Sequence, residues 1–320
     1  MPALAPRGLL LLLPFLLLAC GGSDGNRPAS TTDRPVIGVS VLTLTHSFFQ
    51  DLTAALEAEA DAHGFDVVIT ACEFDIARQK NQVSDFVVRQ VDAIVLAPCD
   101  SRAIGTSILE ANAAGIPVFT TDIAALSEGI DVVTHVATDN YEGGRLAAQA
   151  VLDAIGGSGQ IAIIDHPEVE SVIMRTNGFF DELEARSAPV EVVARLPGGG
   201  VKDRAFRVAE DILQAHPDLD AIFAINDDTA LGAVAAIEKA GRAGTVRVVG
   251  FDGTLEARRA IRDGQIFADV IQHPDRIGRE TVQAIVRYMN GEPVEDEILI
   301  APSLYTQQDA LADPLLQESE

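Results

Sequence analysis

Asp122, Asn226, Asp252 and Gln272 each close a short apolar run, so each is a polar group poised at the edge of a buried segment. His46, Ser47, Phe48 and Phe49 follow the first such run, and Asp227 and Asp228 follow Asn226. Acids and amides of this kind suit a polyhydroxylated molecule. An ionised Asp accepts hydrogen bonds from two adjacent hydroxyls, while Asn or Gln both donates and accepts. Phe48 and Phe49 offer flat apolar faces that the C–H side of a small ring can cover. Some of these acids have an ordinary alternative role, because Asp after a strand commonly caps a helix. Asp100, Asp139 and one of Asp227 and Asp228 are expected in caps or turns, and Phe49 suits core packing as well as binding.

Signatures of other chemistries are missing. No G-x-G-x-x-G follows the first apolar run, so Gly198-Gly199-Gly200 carries no dinucleotide signal. There is no Ser/His/Asp order, no HExxH and no Cys/His spacing for zinc. His166, next to Pro167, reads as a loop residue. The expectation is therefore a binding protein and not an enzyme, with no catalytic residue, no metal and no cofactor. A net charge of −25 opposes contact with nucleic acid, and a monomer is the expected state.

The elements that must position these residues follow from hydrophobic pattern. Val- and Ile-rich runs at 36–43, 65–71, 92–97, 116–121, 132–137, 160–165, 190–196, 221–225, 246–251 and 266–271 alternate with amphipathic helical stretches. That alternation predicts βαβ units and parallel sheets, and the apolar cores of the runs fit strands covered on both faces. In such sheets ligands bind beyond the carboxyl ends of the strands, where the polar residues above fall. A chain of 320 residues exceeds one compact core, so two domains are expected. An internal repeat supports this. Asp92-Ala-Ile-Val-Leu-Ala-Pro-Cys-Asp100 is echoed by Asp220-Ala-Ile-Phe-Ala-Ile-Asn-Asp-Asp228, 128 positions later, and the run ending at Asp122 is echoed by one ending at Asp252, 130 positions later. Two echoes at nearly one spacing indicate two similarly folded lobes.

At these residues the chain resembles periplasmic sugar-binding proteins of the ribose-binding type, the type I binding proteins related to LacI-like ligand domains. The resemblance spans about residues 36–308. It rests on Ser47-Phe48-Phe49, Asp139-Asn140 with Gly143-Gly144, Arg175 with Gly178-Phe179, Phe223-Ala224 with Asn226-Asp227, Val249-Gly250-Phe251-Asp252-Gly253, and Gln272 with Pro274. It implies an α/β fold of two doubly wound parallel lobes with helices on both faces, joined by a three-segment hinge. The crossings would fall near 137–139, 271–273 and 301–303. Lobe one would hold 36–137 and 273–300, and lobe two 138–272 and 301–320. By resemblance, Phe48, Phe49, Asp122, Asn226, Asp252 and Gln272 hold the ligand. The implied partners are a sugar or polyol and an ATP-driven membrane permease, or alternatively a membrane sensor kinase.

Departures from the family pattern matter for the ligand. His46 replaces an Asn, Ile123 replaces an Arg, and Ile173 stands where a second Arg is expected. A ring-stacking Phe near Gly200 is also missing. Exchanging guanidinium forks for Ile makes the pocket less polar, which implies a monosaccharide or polyol other than ribose, with a nucleoside as the less polar alternative. The segment Val169-Glu170-Ser171-Val172 is closer to the fructose-type members.

At the N-terminus, Arg7 precedes an apolar run over 9–19, then Cys20-Gly21-Gly22-Ser23. The run is short for a membrane span and reads as a signal peptide over 1–19. Leu17-Leu18-Ala19-Cys20 resembles a lipobox, so Cys20 is the expected lipidation site and 20–35 a flexible tether. The protein is thus expected to be exported and anchored through lipid, facing the periplasm or the cell exterior. Export permits disulfides. Cys72 and Cys99 nevertheless end strands on either side of a central one, roughly 10 Å apart, so two free buried thiols are expected, with a disulfide as the alternative if the loops bend inward.

Overall fold

The computed structural model describes residues 34–317, and the expected leader and Cys20 lie outside them. The chain opens with β1 (Val36–Val41), α1 (Ser47–Ala62), β2 (Asp66–Ala71), α2 (Ile76–Arg89), β3 (Ala93–Leu96), α3 (Gly105–Ala113), β4 (Val118–Thr121) and β5 (His135–Thr138). A second series follows: α4 (Asn140–Ile155), β6 (Gly159–Asp165), α5 (Glu170–Ala185), β7 (Val190–Pro197), α6 (Lys202–Ala215), β8 (Ala221–Ala224), α7 (Asp227–Lys239), β9 (Arg247–Asp252), α8 (Leu255–Arg262) and β10 (Ala268–Ile271). The chain ends with α9 (Pro274–Met289), β11 (Glu297–Ile300), β12 (Ser303–Thr306), α10 (Gln307–Ala312) and α11 (Pro314–Gln317).

Two six-stranded sheets result, ordered β2-β1-β3-β4-β5-β11 and β7-β6-β8-β9-β10-β12. The repeat seen in sequence is a repeat of topology, because β3 and β4 hold the same places in the first sheet as β8 and β9 in the second. Asp92 and Asp220, its paired aspartates, do the same work: Asp92 Oδ2 accepts from Val36 N at 2.8 Å and Asp220 Oδ2 from Gln160 N at 2.7 Å. Each carboxylate ties the start of its strand to the start of the neighbouring one. The sheet interiors are mainly aliphatic, with Phe119, Phe223 and Phe251 among them, as strands covered on both faces require. In the second lobe Phe179 and Phe223 stack at 4.8 Å, both fully buried.

Two strands escaped the apolar pattern. β11 and β12 are four residues each and half exposed, so they lack a buried run. β11 extends the first sheet in parallel with β5, whereas β12 lies antiparallel to β10, so the second sheet is mixed at one edge. The chain changes sheet after β5, between β10 and β11, and between β11 and β12. Helix α9 packs on α1 of the first lobe, while α4 packs on α5 of the second.

The cysteine expectation is overturned, since Cys72 and Cys99 form a disulfide with Cα atoms 6.7 Å apart. The expectation rested on the separation of β2 and β3 across β1. Cys99 lies three residues past the end of β3, and there the two loops converge over the end of β1, within disulfide reach.

Candidate functional site

The carboxyl ends of both sheets face one cleft, and one cavity there is lined by Phe48, Phe49, Asp122, Asn226, Asp252 and Gln272, with His46 and Ile123 beside them. Phe48 and Phe49 enter from the first turn of α1, edge to face at 5.2 Å. Asp122, just past β4, and Asp252, the last residue of β9, have φ of 60° and 123°. Positive φ is costly for a residue with a Cβ, and here it turns two carboxylates out of their strands towards the cavity.

Asn226 carries a double duty. Its Oδ1 caps α7 by accepting from Thr229 N at 3.0 Å, and its Nδ2 donates to Gly200 O at 3.2 Å. Asn226 therefore caps α7, and of the two aspartates expected in a cap or turn it is Asp227 that serves a turn, accepting from Thr254 N. Asp139 and Asp100 do serve as expected: Asp139 caps α4 through Glu142 N, and Asp100 accepts from Arg102 N and Ala103 N. Asp228 instead reaches across the cleft to His46, with Oδ2 and Nε2 2.8 Å apart.

Ile173 does not line the cavity, and Arg175 does. Two positions along a helix are about 200° of rotation, so residues 173 and 175 of α5 face opposite ways, while Ser171, Val172 and Arg175 share the cleft face. Of the two isoleucines expected at the pocket, Ile123 lines the cavity and Ile173 does not. Arg175 is buried. Its Nε donates to Asn140 Oδ1 at 2.8 Å and its Nη1 to Ile225 O at 2.6 Å, with the guanidinium 3.8 Å above the Phe251 ring. Asp252 Oδ1 lies 3.6 Å from Nη1. The glycines of the 143–144 and 178 motif make this possible, because a Cβ at Gly144 would collide with the Arg175 carbonyl and one at Gly178 with that of Tyr141. Helices α4 and α5 thus meet backbone to backbone, which brings Asn140 against Arg175.

Burial pushes the carboxyls of Asp122 and Asp252 up to about 7, with Arg175 pulling the other way. Asp122 Oδ1 and Gln272 Oε1 are buried without a hydrogen-bond partner, whereas Gln272 Nε2 donates to Asp252 Oδ1 at 2.7 Å. Behind Asp252, the buried acids Asp227 and Asp269 hold the next turn. Asp227 Oδ2 accepts from Thr254 N at 2.7 Å and Asp269 Oδ2 from Gly253 N at 3.0 Å. Burial and mutual repulsion raise the Asp227 carboxyl, and burial raises that of Asp269.

Leu42, Phe74, His166, Val169, Ser171, Val172, Gly200 and Ile225 complete the lining. Sequence reasoning passed over most of these because apolar residues after a strand look like core. The lobes also touch outside the cavity, where Ser101 Oγ accepts from Glu170 N at 2.9 Å and Glu168 O accepts from Ser101 N at 3.1 Å.

Two topologically matched lobes shut upon a cavity lined with rings and hydrogen-bonding groups define a two-lobed solute-binding protein. The chain belongs to the periplasmic binding protein family, whose domain matches residues 37–293, and its two sheets are those of the type I fold. It is 34% identical over 310 residues to the ribose import binding protein of Bacillus subtilis, covering 94% of this chain and 98% of that one. It is 32% identical over 279 residues to the D-apiose import binding protein of Paraburkholderia graminis, covering 85% and 88%. Among solved structures, an ABC transporter solute-binding protein from Bacillus halodurans with bound myo-inositol superposes with a TM-score of 0.80 at 30% identity, covering 89% of this chain and 98% of that one.

Proposed function

We propose that this protein captures one uncharged monosaccharide or polyol between its lobes and hands it to an ATP-driven permease outside the cytoplasmic membrane. The observation that carries this reading is the pair of buried, unpartnered oxygens, Asp122 Oδ1 and Gln272 Oε1, in one cavity. A buried acceptor without a donor costs about 1–3 kcal/mol, and a ligand hydroxyl supplies the donor. Phe48 and Phe49 cover its C–H face. The sugar and polyol ligands named for the relatives support the same chemistry. Residues 36–137 with 273–300 form one moving body and 138–272 with the tail the other. Because a ligand touches both only when they are shut, it favours closure by its differential affinity. Cys20 anchors the exported protein through lipid; among the described residues no helix is long and apolar enough to cross a membrane.

The test is a thermal-shift screen of D-ribose, D-apiose, myo-inositol and xylitol, followed by calorimetry. Stabilisation by at least one, with one site per chain, is the expected result. Stabilisation by none of them, or only by a charged solute, would overturn it.

A further inference from the structure

Phe74 stands at the cavity's mouth and is 37% exposed, the most exposed aromatic ring of the lining. The changes of sheet run through β5, β10, β11 and β12 at one edge of each sheet, while β2 and β6 lie towards the opposite edges. Phe74, just after β2, and His166, just after β6, therefore meet at the end of the cleft farthest from the crossings. Their ring centroids are 6.2 Å apart, and Phe74 also meets His46 edge-on at 5.7 Å. A large apolar ring left partly bare inside a ligand cavity is a surface with contact still to make.

The turn that presents this ring is held from every side. Glu73 and Phe74 both adopt left-handed backbone, with φ of 50° and 61°, which neither side chain favours. Cys72, directly before them, is bonded to Cys99, and Cys99 N donates to the buried Gln79 Oε1 at 2.8 Å. Glu73 accepts from Thr43 Oγ1 at 2.6 Å and from Leu44 N at 3.2 Å, binding the turn to the loop that carries His46. Asp75 then caps α2 through Ala77 N and Arg78 N. Such over-determination is what a strained turn needs to persist.

We propose that Phe74 is a ligand-contacting ring that closes over the C–H face of a cyclic polyol, and that the Cys72–Cys99 disulfide positions it. This rests on the polyol reading above. Across the mouth, Gly200 at φ 68° leaves room that a side chain would fill, since a Cβ there would lie 3.3 Å from Asn226 Nδ2 and 3.5 Å from His166 Nδ1. The ring of Phe74 thus has space to settle on a ligand from the first lobe.

The experiment is calorimetric titration of wild type, Phe74→Ala, Phe74→Tyr and the double variant Cys72→Ala/Cys99→Ala with myo-inositol, D-ribose, D-apiose and xylitol. Losing an aromatic face should weaken the best-bound cyclic probe about tenfold in Phe74→Ala, leave acyclic xylitol within about threefold, and be rescued by Phe74→Tyr. The cysteine pair should weaken the same cyclic probe and add nothing in a Phe74→Ala background, because non-additivity marks residues acting as one unit. Wild-type binding with Phe74→Ala within about threefold overturns the ring contact, as does equal loss for xylitol. Additive effects of the cysteine and Phe74 changes overturn the positioning role. Should the cysteine variant not fold, the Phe74 series decides alone. If wild type binds none of the probes, the polyol reading itself falls, and this proposal with it.

Discussion

His46 Nε2 and Asp228 Oδ2, 2.8 Å apart, belong to opposite lobes, His46 preceding α1 and Asp228 lying in α7. On the proposed closure this contact would form only with the cleft shut, which would link protonation of His46 to closure. Burial lowers its pKa, but the hydrogen bond and charge of Asp228, with help from Asp252 and Glu73, more than offset this and leave it above 6.5. A raised pKa in the closed form means that this contribution is full below 6.5 and is lost as pH rises through the raised value. Ligand affinity should therefore carry a component that falls by about threefold between pH 6 and pH 8, and His46→Gln should lack it. Asp122 and Asp252 remain in both proteins, so the difference between the two pH profiles reports the histidine together with its coupling to Asp252. Parallel profiles would show that the pair does not assist closure.

The contact of α4 with α5 makes a prediction about stability. Valine at Gly144 would drive its Cβ into the Arg175 carbonyl, and overpacking of this kind costs about 1–3 kcal/mol. The urea midpoint should drop accordingly, and affinity should drop with it, because the displaced backbone carries the Arg175 guanidinium. An unchanged midpoint would mean that the two helices are not in backbone contact.

Cys20 is the subject of a localisation test. If Cys20 carries the proposed lipid, Cys20→Ser should move the protein from the membrane fraction to the soluble exported fraction. Equal partition of wild type and variant would remove the anchor from the proposal.

The parts of this molecule legible in sequence are those where an apolar run ends abruptly in a polar residue. Asp122 and Asp252 were readable because each directly follows a buried stretch, of β4 up to Thr121 and of β9 up to Phe251, and the two-lobed plan was readable in the echo of Asp92 by Asp220. Phe74 was not readable, since its role depends on a left-handed turn and on a loop from the other lobe. Cys72 and Cys99 were not readable as a pair because they lie in loops beyond the ends of β2 and β3, and such loops do not keep the spacing of the strands. Ile173 is singled out by resemblance, and α5 turns it away from the face that carries Arg175 to the cavity. β11 and β12 are held by edge pairing more than by burial, so hydrophobicity carried little trace of them.

Burial of the two site carboxylates should make closure depend on pH. In the open, hydrated cleft Asp122 and Asp252 should sit near their ordinary value of 3.8, and burial carries both to about 7 in the closed form. A carboxyl whose pKa rises on closure permits closure freely below the ordinary value, opposes it increasingly as pH climbs from 3.8 to about 7, and opposes it by a constant amount above that. At pH 8 the ligand-free protein should therefore stand open, and hydroxyl donors from a ligand supply what the buried carboxylates lose in water. Asp122→Asn removes one of those charges with little change of shape, so the ligand-free variant should be more compact than wild type at pH 8 by small-angle scattering, and the two should converge at pH 4. Binding responds differently, because the acceptor for two hydroxyls is lost. Asp122→Ala should cost about 2–4 kcal/mol, roughly a thirty-fold to thousand-fold loss of affinity. A folded Asp122→Ala protein that binds its polyol within about threefold of wild type would reduce Asp122 to a turn residue, and a ligand-free wild type that is already compact at pH 8 would dismiss the carboxylates as the groups that hold the lobes apart.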